Sequence, residues 1–317
     1  MKDAVNFDKI NVSSVIAFFQ ERTKMNFDAF TKDIVDNHWK VFGTEVYKDG
    51  KLIHAFGDTK DQLHYIYSAT KSVVSTALGI VYDRGLIDLD KSILTYLPKE
   101  KVTGLLEKQR TTFEKITIRR LLTMSVDGFP FRPEGENWLD FALSCEIPNP
   151  EEKVFHYNNI NVYLVGVALT EILGCDLGAF IEKEIFAPLG ITRYKYERSP
   201  EGYFYGASGM QLTVHDLSHI GLLYYNNGVV NGQRIISEDY VKMATGIQQM
   251  NREGGYGFYF WKYRDGFSIN GKWKQKCYVL PKEKLIISYL ADIQDDSHDL
   301  LESMERNILG LEGGCEK

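Results

Sequence analysis

Ser68 and Lys71 stand three residues apart in Tyr67-Ser68-Ala69-Thr70-Lys71-Ser72, and an apolar run that reads as a helix follows at once. Residues at i and i+3 share a helix face, which brings the Lys71 amine within reach of the Ser68 hydroxyl. A serine hydroxyl is a weak nucleophile until a base takes its proton. A lysine serves once burial or a neighbouring cation draws its pKa down. At a helix start the Ser68 N–H also joins the unpaired first-turn donors, which favour developing negative charge. One segment thus offers nucleophile, base and half an oxyanion hole. Taken alone, the pattern equally fits an N-cap serine beside a solvated lysine, so the rest of the chain has to decide.

A second element, Phe155-His156-Tyr157-Asn158-Asn159, follows the loop Ile147-Pro148-Asn149-Pro150 and precedes a helix starting near Ile160. A tyrosine near a lysine cation loses its proton more easily and can act as base or relay. Asn159 offers donors and an acceptor, enough to hold a lysine and a substrate carbonyl together. His156 reads as a loop residue beside the site, in reach of substrate. The Tyr-x-Asn pattern recurs at Tyr224-Tyr225-Asn226, where it closes a helix. A third element, Asn270-Gly271-Lys272-Trp273, precedes a strand. Glycine there lets backbone approach a ligand, and the following N–H can complete an oxyanion hole; a plain hairpin turn fits the same residues.

A Ser-His-Asp arrangement is set aside. Gly206-Ala207-Ser208-Gly209-Met210 lacks the final glycine of a nucleophile elbow. His215 reads as an exposed residue of a first helical turn. Gly206 to Gly209 either line the site or feed the next helix, and both readings stay open. Trp138, Trp261 and Trp273 suit a cleft wall or ordinary packing equally.

The elements that must position these residues are legible from pattern. Ser13 caps a helix through Val15 to Phe19, and Asp49-Gly50 joins strands Val41 to Tyr47 and Lys51 to Phe56. A mostly helical middle follows: a helix from Ser68, one capped by Thr117, one from Asn158 to Leu173 and one over Ala179 to Phe186. Thr213 with Asp216 opens another in an acidic capping box, and Ser237 caps the next. Strands return at Tyr256 to Tyr263, Gly266 to Ile269, Gln275 to Leu280 and Leu285 to Leu290, before a last helix from Ser297 to Leu309. Strands at both ends with helices between predict an α+β fold with one antiparallel sheet built from both chain ends. Residues 1–90 and 251–317 form the sheet domain, and 91–250 the helical insertion.

Composition bounds the rest. With 44% apolar residues over 317 positions, a sizeable core is assured. A net charge of −6 argues against nucleic acid as partner, and no apolar stretch reaches membrane-spanning length. Met1 to Asn11 shows no basic region followed by an apolar one, so a secretory signal is not expected. Cys145, Cys175, Cys277 and Cys315 have no paired spacing, as in a cytoplasmic protein with reduced thiols.

The three elements, in this order, resemble the serine β-lactamase and penicillin-binding protein superfamily, above all its class C-related branch of esterases, amidases and D-peptidases. Lys48-Asp49-Gly50-Lys51, Gly85-Leu86-Ile87-Asp88-Leu89-Asp90, Tyr96-Leu97-Pro98, Ile116 to Met124, Phe186 to Ile191, Gly206 to Leu217 and Asn231-Gly232 look like family segments too. The resemblance implies a β-lactamase/transpeptidase-like fold, with Ser68 as acylating nucleophile, Lys71 as proton acceptor and Tyr157 as partner base. It implies Asn159 as holder of lysine and substrate, and the N–H groups of Ser68 and Lys272 as oxyanion hole. No metal or organic cofactor is implied. The substrate is expected to be a small ester or amide. Action on cell-wall-like peptides or β-lactams, or a non-catalytic sensor on the same fold, are the alternatives. One departure matters: the family's third motif usually opens with a lysine or histidine two residues before its glycine, where this chain has Ile269. Lys272, Lys274 or Lys276 could replace the lost charge, although strand alternation splits them between two orientations, and lysines of a solvated hairpin are the plainer reading.

Overall fold

Asp49 and Gly50 both take positive φ, 51° and 74°, as a tight hairpin turn requires. They join β1 (Val41–Lys48) to β2 (Lys51–Gly57), paired antiparallel with a register shift between Val46 and Tyr47. The computed structural model describes residues 25–311, so the helix expected at Val15 to Phe19 and Cys315 lie outside the described residues.

Four further strands come from the far end of the chain: β3 (Trp261–Tyr263), β4 (Gly266–Gly271), β5 (Gln275–Leu280) and β6 (Leu285–Ala291). The sheet runs β2-β1-β6-β5-β4-β3, so the first hairpin is stitched directly to the last strand. This is the antiparallel, two-ended sheet of an α+β fold. Every residue of β6 is buried, as a central strand covered on both faces demands. The helix Val214–Tyr225 opens with the reciprocal Thr213–Asp216 capping box and crosses the sheet at Gly221. A β-carbon there would lie 2.4 Å from Cys277 Sγ, so only glycine permits this approach. Thr117 and Ser237 cap their helices as expected.

The chain divides into two compact units. One gathers the described residues up to 41 and from 293. Its helices Phe27–Asp36 and Asp299–Asn307 are tied by Asp33, whose Oδ2 accepts from Ser303 Oγ, Arg306 and Asn307 Nδ2 at 2.7, 2.7 and 2.9 Å. The other, residues 42–292, holds the sheet, the helical middle and all three chemical elements.

Two expected boundaries shift for physical reasons. The strand expected from Tyr256 begins only at Trp261. A β-carbon on Gly257 would meet Ala244 O at 2.0 Å, and Tyr259 takes φ 66°, so this stretch hugs the helix Glu238–Thr245 instead of extending. The helix read over Ala179 to Phe186 and stopped by Pro188 and Gly190 is longer, Leu177 to Leu189 with a π turn over Glu182–Phe186, and Gly190 does close it at φ 73°.

Candidate active site

Ser68 lies in a 3₁₀ turn, Tyr67–Ala69, and the α-helix proper begins at Thr70. It therefore does not cap the helix with its side chain, which corrects the simplest reading of the segment and leaves the hydroxyl for other work. The turn is pinned on both sides. Ile66 N donates to Met210 O at 2.9 Å, and Thr70 Oγ1 donates to Tyr67 O at 2.7 Å. Tyr67 itself takes φ 46°. From Thr70 to Val81 every residue of the helix Thr70–Asp83 is buried, Lys71 included.

Lys71 is 1% exposed, and burial pulls its amine well below the ordinary lysine value. Its Nζ lies 2.7 Å from Asn159 Oδ1, 2.6 Å from Ala207 O and 3.2 Å from Ser68 Oγ. A neutral amine has two N–H groups and one lone pair. The two short contacts are to atoms that only accept, so they take the two N–H groups and turn the lone pair towards Ser68.

Asn159 connects the parts: its Oδ1 accepts from Lys71, and its Nδ2 donates to the Tyr205 hydroxyl at 2.9 Å. Its backbone N donates to Phe131 O at 2.7 Å, just before the helix Ile160–Leu173 begins. Tyr157 presents its ring to Lys71, with Nζ 5.1 Å from the centroid. Burial pushes its phenol above the usual tyrosine value, while a hydrogen bond with Ser68 works the other way. The ring packs on Trp261 and Tyr256 at centroid distances of 5.4 and 6.3 Å, and Phe155 contacts both at 5.9 and 5.3 Å. Trp261 is thus part of the wall around Tyr157.

The third element is brought to the same place by β4. A β-carbon on Gly271 would lie 2.1 Å from Ile66 O, so the strand touches the chain two residues before Ser68. Beyond it Trp273 and Lys274 turn with φ 59° and 67°, and Trp273 meets Tyr67 edge-on at 5.0 Å. Gln275 braces this turn, donating to the carbonyls of Lys272 and Trp273 at 3.0 and 3.1 Å and to Ala291 O at 2.6 Å. Lys272 is exposed, its ammonium 4.6 Å from the Trp273 ring centroid.

Ile269 is fully buried, facing Cys277 in the register, and leaves no cation at that position. Asn270 pairs with Lys276 on the opposite face. With its amide oriented to satisfy its neighbours, Asn270 donates to Ser268 Oγ at 2.8 Å and accepts from Lys276 Nζ at 3.1 Å. Burial brings the Lys276 ammonium down to about 8. Of the three lysines weighed as replacements for that cation, Lys276 is the one partly buried and engaged with Asn270.

His156 is half-exposed and its Nδ1 lies 2.6 Å from Asp127 Oδ1. It flanks Tyr157 without a hydrogen bond to Ser68 or Lys71. His215 is not the exposed residue expected. Its Nδ1 lies 3.0 Å from Oε1 of Glu45, a carboxylate with no exposure, and Tyr47 OH donates to Glu45 Oε2 at 2.8 Å. Burial would raise this carboxyl, but hydrogen bonds from His215 and Tyr47 hold it below the usual value. The pattern-based reading missed Tyr205, and it left open the Gly206–Gly209 loop whose Ala207 carbonyl accepts a hydrogen bond from Lys71 Nζ. The glycines at 206 and 209 were the signal: both have positive φ, 68° and 80°.

Comparison with known proteins places this geometry. The profile of the β-lactamase family matches residues 32–307. The chain is 24% identical over 219 residues to a Bacillus subtilis (strain 168) protein named as a penicillin-binding protein, PbpX, covering 62% of this chain and 53% of that one. A 6-aminohexanoate-dimer hydrolase of Paenarthrobacter ureafaciens is 19% identical over 226 residues, 63% of this chain and 55% of that one. The chain thus spans about half the length of these curated relatives. Among solved structures, a family VIII carboxylesterase superposes with a TM-score of 0.70 at 16% identity, over 88% of this chain and 96% of that one.

Proposed function

The chain belongs to the β-lactamase family, and from that premise we propose that it hydrolyses a small ester or amide through an acyl-enzyme on Ser68. The observation that carries this reading is the Lys71 amine, buried with no carboxylate bonded to it among the described residues and held by Asn159 and Ala207 at 3.2 Å from Ser68 Oγ.

Lys71 takes the Ser68 proton as Oγ attacks the substrate carbonyl. The oxyanion of the tetrahedral intermediate is met by the N–H groups of Ser68 and Lys272. Tyr157, whose phenol is held protonated, hands its proton to the leaving oxygen or nitrogen and is reprotonated from Lys71. Water then attacks the ester on Ser68 by the reverse route and frees the acid. Asn159, Asn270 and Gly271 border the substrate, with His156 at the rim.

A second reading, D-peptidase or weak β-lactamase action on cell-wall-like substrates, is favoured by Lys276, which offers a cation beside Asn270 although Ile269 does not. The deciding experiment exposes the protein and Ser68→Ala to a fluorophosphonate, a labelled penicillin and a chromogenic short-chain ester. Label on Ser68 with ester turnover lost in the variant is the expected result. Label elsewhere, or turnover that survives the substitution, would sink the mechanism. No label and no turnover would favour a non-catalytic sensor.

A further inference from the structure

Val154 and Met250 are large apolar side chains left 50% and 62% exposed. They line one cavity of about 720 Å³ together with Phe155, Asn251, Arg252 and Glu253. Gln249 Nε2 donates to Lys153 O at 3.1 Å and ties the two walls together. Phe155 belongs to this cavity and also to the cluster around Tyr157, through Tyr256 and Trp261. Glu253, on the rim, lies within electrostatic reach of the Tyr157 phenol. Phe155 is therefore common to the cavity wall and to the ring cluster around Tyr157.

The wall carries one further sign of an occupant. Asn251 Oδ1 accepts from Glu253 N and Gly255 N, each at 2.9 Å, but its Nδ2 is buried with no partner. A buried donor left unpaired is unfavourable, and an acceptor on a bound molecule relieves it.

We propose that this cavity receives the leaving group of the substrate, an aliphatic alcohol or amine of several carbons with a hydrogen-bond acceptor towards its far end. The inference rests on the hydrolase reading above. The leaving atom must come within hydrogen-bond reach of Tyr157 to take its proton, so whatever it carries extends to the Tyr157 side of Ser68. That direction leads past Phe155 to Val154 and Met250. The volume is in the range of small-molecule sites.

The test uses acetate esters, so that the acyl group is constant and only the alcohol grows from methyl to hexyl. Partial burial of each methylene should raise kcat/KM about twofold, or roughly thirtyfold across the series. In Met250→Asp and Val154→Asp the hexyl-to-methyl ratio should collapse below about fivefold; the ratio cancels any general loss of activity. A 5-oxohexyl ester should exceed the hexyl ester about tenfold, and Asn251→Asp, which keeps the loop bonds and removes the donor, should abolish that preference. A wild-type ratio within threefold of unity, or a ratio that survives both aspartates, overturns the proposal. Fluorophosphonate labelling of Ser68 is read in parallel. Labelling with a flat series refutes the cavity alone, whereas no labelling refutes the hydrolase reading and the cavity with it.

Discussion

Gly271 and Ile66 touch backbone to backbone: a β-carbon at 271 would lie 2.1 Å from the Ile66 carbonyl oxygen. Neither atom belongs to a flexible side chain, so the strand and the turn that carries Ser68 must separate if the space is filled. Gly271→Ala is expected to cost about 1–3 kcal/mol of stability and at least tenfold in turnover. Thermal unfolding and ester hydrolysis check both. A variant with wild-type turnover would show that β4 does not set the position of Ser68.

Lys71→Met should lower acylation by roughly 10²–10⁴-fold while stabilising the protein at pH 7. The folded protein holds this amine well below its unfolded value near 10.5. Between the two values the unfolded chain carries the extra proton, so wild-type stability rises with pH across that window. Methionine has no proton to exchange and should flatten this dependence. Melting temperatures at pH 7 and pH 10 supply the comparison, and a fluorophosphonate rate measures acylation. In the wild type, kcat/KM should fall as pH drops through the depressed Lys71 value, because protonation removes the lone pair.

Tyr157→Phe keeps the ring that packs on Trp261 and Tyr256 and removes only the hydroxyl. The expected result is a fall in kcat of about 10²-fold or more with KM little altered. Melting temperature should stay close to wild type. A large thermal loss beside modest kinetics would make the residue structural.

Local signals and distant ones were not equally legible in the sequence. The Ser68–Lys71 pair, the Thr213–Asp216 box and the Asp49-Gly50 turn are short-range features whose chemistry is written within four residues. The contacts that orient Lys71 are not: Asn159 is 88 residues away and Ala207 is 136. Asn159 was reachable because its neighbours carry a resemblance. The Ala207 contact is through a backbone carbonyl, which leaves no mark in residue type. Which of Lys272, Lys274 and Lys276 could stand in for the missing cation stayed open for a related reason, since alternation gives a strand's two faces but not how deeply each is covered.

Lys276 titrates near 8, charged below and neutral above, because burial disfavours its cation. If an anionic substrate meets this cation, acylation by a labelled penicillin should weaken above about pH 8 in the wild type. Lys276→Met should acylate slowly at every pH, without that limb. Equal pH profiles for the two proteins would remove Lys276 from substrate recognition.

Tyr67 sits one residue before the nucleophile in a left-handed conformation that costs a side-chain-bearing residue on the order of 1–3 kcal/mol. Its ring is braced by Trp273 at 5.0 Å and by Tyr65 at 5.8 Å. The hairpin tip and the turn that carries Ser68 are therefore tied together through these rings. A molecule that prised Trp273 away from Tyr67 would slacken the turn and misplace Ser68, and so would suppress the proposed hydrolysis through that contact alone.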